Sequence, residues 1–145
     1  MARIVPFIAG IIEFGLCSLM FLMAAFALTG YLILSYNPQV HDVAAVIESY
    51  MGVLAVVAFV FGLAGSVSAI ERWSLLLSVV GAVLIAFWGL LENWYSLTWL
   101  IGMDDIQMGV TFGTIAIFFA MLIIILVVAT REQFKPRALA RAANS

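Results

Sequence analysis

Charge is what this chain has least of. Only 10% of its 145 residues are Asp, Glu, Lys or Arg, against about 25% in soluble domains. Six basic residues against eight acidic ones leave a formal net charge of −2, and no nucleic-acid partner is expected. Cysteine occurs once, at Cys17, and histidine once, at His41. A single cysteine excludes an intrachain disulfide, a thiolate cluster and a C-x-x-C pair. A single histidine excludes a haem held between two imidazoles. There is no glycine-rich phosphate loop and no nucleophile with a base partner, so no catalytic residue and no cofactor is expected. His41 with Asp42, Glu48, Asp104 and Asp105 is the one set of metal-ligating types. One imidazole and scattered carboxylates define no coordination geometry, and no metal site is expected there either.

What is present is apolar. Hydrophobic residues make up 66% of the chain and mean hydropathy is +1.23, well above the roughly 45–50% apolar content of soluble domains. They fall in blocks rather than short alternating runs, so the chain reads as an integral membrane protein. Four blocks, at about residues 4–34, 44–70, 73–91 and 108–130, each meet the roughly 20-residue length that crosses about 30 Å of hydrocarbon. The expected fold is all-α, a four-helix transmembrane bundle forming one membrane domain over residues 1–130, with a basic tail at 131–145. "SYNPQVHD" and "IERW" read as short connections, and "ENWYSLTWLIGMDDIQ" as a long one.

The basic residues set an orientation. Arg3, Arg72, Arg131, Lys135, Arg137 and Arg141 fall at the amino terminus, in the second connection or in the tail. With four spans these share one side, and the positive-inside rule makes it the cytoplasm. Both termini are therefore expected in the cytoplasm and the chain in the cytoplasmic membrane. Arg3, the following apolar run and Ala25-Phe26-Ala27 mimic a secretory signal, but the run outlasts an h-region and continues through "LTGYLIL", so the first helix is expected to be retained. In the tail, Pro136 predicts a bend, and the cations beyond Thr130 suit anionic headgroups.

Tryptophan and tyrosine agree with this map. Trp73 sits beside Arg72, while Tyr36, Trp94, Tyr95 and Trp99 gather at the opposite interface. These suit an aromatic belt, and Trp94, Tyr95 and Trp99 in a long connection are also candidates for docking a neighbouring protein. For helix packing, Gly109, Gly113, Ala116 and Ala120 recur at spacings of four, three and four, one stripe of small side chains; Gly62, Ser66 and Ala69 form a second, with Gly65 beside them, and Gly81 and Ala82 a third. Such faces let helix backbones approach closely, here to close the chain's own bundle in preference to an intermolecular seam.

Against this background the exception is "GIIEFGLC", which puts Glu13 inside an apolar run. An ionisable residue at membrane depth faces protein or water and calls for a role. Ten residues beyond Arg3, Glu13 lies roughly 15 Å along its helix, and no basic residue shares its layer. Ser66 and Ser78 are the nearest polar candidates, and Cys17 follows at i+4. With hydroxyls and no cation nearby, the neutral acid is the expected form. Three roles suit such a group, in this order: interhelical hydrogen-bonding glue, contact with a partner's polar group, and a proton or ion relay. The relay ranks last, because the first helix offers only Ser18, Thr29 and Tyr31 in series beyond it.

Four spans, the basic turn in "AIERWSLLLSVVGAVL" and the charged end "TREQF" resemble the small four-helix membrane proteins of unknown function found in bacteria and archaea, a likeness that implies an architecture and no active site. The functional expectation is a non-catalytic accessory or scaffolding subunit of a larger membrane complex, such as a respiratory or other membrane oxidoreductase assembly. Its partners would be other integral membrane subunits and lipids. The alternative is a small oligomeric transporter or channel using Glu13.

Overall fold

The computed structural model describes residues 4–35, 42–99 and 103–134. They form four helices: α1 (Ile4–Ser35), α2 (Asp42–Ile70), α3 (Leu75–Trp99) and α4 (Met103–Ala129), followed by one 3₁₀ turn, Arg131–Gln133. All four are long and apolar enough to cross a membrane, which marks a multi-pass membrane protein. α1 packs along α2, α2 along α3 and α3 along α4; α4 meets α1 more sparingly, and α1 and α3 touch at few points. The start of α1, the α2–α3 turn and the end of α4 share one end of the bundle, here the terminal end. The end holding Ser35, Asp42, Trp99 and Met103 is the distal end.

Two boundaries differ from the sequence reading. α3 continues to Trp99 and α4 begins at Met103, so most of "ENWYSLTWLIGMDDIQ" is helix. The polar and aromatic residues of that segment depress local hydropathy, but inside a bundle an uninterrupted helix is the simplest way to keep backbone groups paired. Asp104 and Asp105 accordingly stand in the first turn of α4, where negative charge complements the helix dipole. α1 runs without a break through Ala25-Phe26-Ala27. Pro6 is tolerated because the first four amides of a helix have no intrahelical acceptor. His41, Tyr36 and the tail beyond Phe134 lie outside the described residues.

Each helix buries one narrow stripe. On α1 it is Ala9, Glu13, Leu16, Cys17, Met20 and Ala24, at helical spacings of three and four. On α4 it is Gly109, Gly113, Ala116, Ala120, Ile123 and Val127. Phe7, Phe14, Phe21, Leu76, Phe87 and Phe118 point outward, as side chains meeting lipid should. Since lipid is as apolar as these side chains, burial from water does not hold the helices together; close packing and interhelical hydrogen bonds do.

Glycines set that packing at every sequential interface. A Cβ built on Gly10 would stand 2.9 Å from the Ser66 carbonyl of α2, and one on Gly65 the same distance from the Leu77 carbonyl of α3. Gly89 and Gly113 are reciprocal: a Cβ on either would come within 2.7 Å of the other's carbonyl oxygen.

The α2–α3 turn is tied by backbone bonds and two serines. The Trp73 amide donates to the Ser68 carbonyl at 2.8 Å and the Arg72 amide to the Ala69 carbonyl at 3.3 Å, a Schellman arrangement. Arg72 takes the left-handed position with φ 54°. The buried Ser68 hydroxyl donates to the Ser74 carbonyl at 2.9 Å and accepts from the Ser74 amide at 2.8 Å. Ser74 then caps α3, accepting from the Leu77 amide at 3.4 Å.

Candidate functional site

Glu13 is fully buried where α1, α2 and α3 meet. Its Oε2 accepts a hydrogen bond from the Ser78 hydroxyl of α3 at 3.0 Å. Its Oε1 is buried with no hydrogen-bond partner among the described residues. Two glycines make room for the carboxyl. A Cβ on Gly65 of α2 would collide with Oε1, and a Cβ on Gly81 of α3 would lie 2.5 Å from the same atom. One turn along, Cys17 fills the space left by Gly62: its Sγ lies 2.5 Å from where a Gly62 Cβ would stand.

Ser66, paired in the sequence reading with Glu13, bonds elsewhere. Its hydroxyl donates to the Gly10 carbonyl of α1 at 2.8 Å. The two serines therefore do related work one turn apart: Ser78 fastens α3 to α1 through Glu13, and Ser66 fastens α2 to α1 through backbone. The sequence carried a signal for the glycine cradle, because Gly65 and Gly81 stand among the small residues. Small residues there signal close backbone approach, whereas the volume that the two together leave for the carboxyl group depends on how α1, α2 and α3 meet.

The small stripe of α4 is spent within the chain. Gly109, Gly113, Ala116 and Ala120 are all buried and the first two lie against α3. A Cβ on Gly109 would collide with the Ser96 hydroxyl, and one on Gly113 with Asn93 Oδ1. Both of these polar atoms are buried without a hydrogen-bond partner among the described residues. Gly89, Asn93 and Ser96 recur at helical spacing and continue the inward face of α3. Asn93 and Ser96 fall in the segment that reads as a connection, which conceals the periodicity they share with Gly89.

The aromatic segment at the distal end divides. Trp94 is 53% exposed, whereas Tyr95 is only 8% exposed; successive helical positions point about 100° apart, so one side chain faces outward and the other inward. The side chain of Trp99 lies outside the described set. Tyr95 instead lines a cavity of about 280 Å³ that sequence reasoning did not anticipate. All four helices contribute to it: Met23 and Phe26 from α1, Met51 from α2, Trp88, Glu92 and Tyr95 from α3, and Asp105, Met108 and Phe112 from α4. The cavity and the Glu13 site are separate, with Glu13 absent from the cavity wall.

Among the described residues no group of three or more His, Cys, Asp or Glu side chains could hold a metal ion. Comparison with known proteins returns no matching family model, no matching curated protein and no matching solved structure.

Proposed function

We propose that this protein is a non-catalytic accessory or scaffolding subunit of a larger complex in the cytoplasmic membrane, with both termini in the cytoplasm. The observation that carries the reading is the enclosure of Glu13. Its carboxyl, in the interior of α1, is walled by Gly65 and Gly81 and tied to Ser78. Those contacts join three helices of the same chain, and a group so placed holds a bundle in register. The expectation that partners are other membrane subunits rests on the rest of the chain: long apolar helix faces and Trp94 exposed at the distal end. A respiratory or other oxidoreductase assembly is a host consistent with a small all-helical subunit.

The transporter or channel reading draws on the unpartnered Oε1. A proton path needs polar groups in series, and the side chains next to Glu13 on the inward face of α1 are Ala9, Leu16, Cys17 and Met20. Native purification from the source membrane followed by identification of co-purifying chains tests the subunit reading. A stoichiometric membrane partner is the expected result. Proton-coupled flux in liposomes containing this chain alone, lost in Glu13→Gln, would overturn it in favour of transport.

A further inference from the structure

The cavity at the distal end has a definite chemistry. Its deep wall is formed by Trp88, Met51 and Tyr95, all less than 10% exposed. Phe26 and Phe112 bring further aromatic surface, and Glu92 and Asp105 bring two carboxylates. Aromatic faces carry negative quadrupole potential and attract cations. Methionine side chains are polarisable and adapt to irregular apolar shapes. The charge pattern of the whole chain has the same sign: every Lys and Arg lies at position 3, 72, 131, 135, 137 or 141, and the described ones, Arg72 and Arg131, stand at the terminal end. No lysine or arginine is within the helices that form the cavity, and its wall carries the acidic side chains of Glu92 and Asp105.

We propose that this cavity is a binding site for a small amphipathic organic cation, a quaternary or protonated amine carried on an aromatic or branched apolar body. The ammonium group sits toward Glu92 and Asp105 and the apolar body against Trp88, Tyr95 and the methionines. At about 280 Å³ the space lies near the lower end of the roughly 300–1,000 Å³ typical of small-molecule sites, which favours one ring with a compact head over a larger ligand. An anionic lipid headgroup is disfavoured by the same two carboxylates. The proposal is independent of the subunit reading, because it concerns a cavity formed by one chain.

The test uses the purified full-length chain in a non-ionic detergent. Equilibrium dialysis with radiolabelled benzyltrimethylammonium is compared with neopentylbenzene, which has the same shape with carbon in place of the charged nitrogen. After correction for micelle partitioning, saturable binding of one cation per chain is expected, with the neutral isostere at least about tenfold weaker, the scale of a desolvated cation–aromatic contact. Asp105→Asn, at an exposed position, should weaken cation binding several-fold and leave neopentylbenzene unaffected. Trp88→Leu should weaken both. Should Trp88→Leu fail to fold, Phe112→Leu carries the aromatic arm. Equal affinity for the two probes, or cation binding indifferent to both Asp105→Asn and Glu92→Gln, would overturn the proposal, as would a co-purified phospholipid that saturating cation fails to displace.

Discussion

Ser78 on α3 and Glu13 on α1, 65 residues apart in sequence, share a buried hydrogen bond of 3.0 Å across two helices that otherwise touch at few points. Removing either partner exposes the other's cost. Glu13→Met, Ser78→Ala and the double variant, unfolded from micelles with a denaturing detergent, should give a coupling energy of about 0.6–1.7 kcal/mol, the range for interhelical hydrogen bonds in membranes. Glu13→Gln should retain most of it, since the amide oxygen still accepts from Ser78. A coupling of zero would mean that the bond orders the helices without stabilising them.

Gly81→Ala should destabilise by about 1–3 kcal/mol, the usual cost of overpacking. The added methyl would meet not only Glu13 but the Phe61 carbonyl at 2.8 Å and Gly62 Cα at 3.0 Å. The last two contacts are both backbone and have little room to shift. Combining Gly81→Ala with Glu13→Ala should therefore leave most of the loss in place. Full recovery in the double variant would show that the glycine serves the carboxyl alone.

Gly113→Leu should lower the stability of the isolated chain in detergent by about 1–3 kcal/mol or more, because the side chain would be driven into Gly89 and Asn93 of α3. The readout is a thermal or denaturant midpoint on the monomer. An isolated chain as stable as the parent, but failing to co-purify with a partner, would place the contact between molecules instead.

Arg72→Gly removes a side chain from a left-handed position, φ 54°. An L-residue there costs roughly 1–2 kcal/mol, and glycine gives back roughly 0.5–1 in unfolded-state entropy, so a net gain of up to about 1.5 kcal/mol is expected. The thermal midpoint of the detergent-solubilised protein should rise. Arg72→Val, which keeps the strain and removes the charge, should not share the gain.

The orientation can be read with a membrane-impermeant maleimide on intact cells. Single cysteines at Asp104 and Ser145 should label from outside and only after lysis, respectively. Cys17 is fully buried and should stay silent in both conditions, so it need not be replaced. Labelling of Ser145→Cys from outside would reverse the assignment of both termini.

The amino-acid sequence by itself determined the class, the number of spans and the inward stripe of α4, because these depend on composition and on a period of 3.6 residues, both local properties. It also marked Glu13 as the one carboxyl deep in an apolar run, since a charge inside such a run is legible wherever the helix packs. The tertiary structure decided the partners. Ser78 reaches Glu13 while Ser66 bonds Gly10, a choice made by helix rotation and by which glycines let backbones close, and neither is visible along a single strand of sequence. The same holds at the distal end. Glu92, Asn93 and Tyr95 lower local hydropathy and look like a connection, yet α3 continues through them because neighbouring helices provide an interior for its polar face. The cavity beside Tyr95 exists only where four helices, distant in sequence, leave space between them.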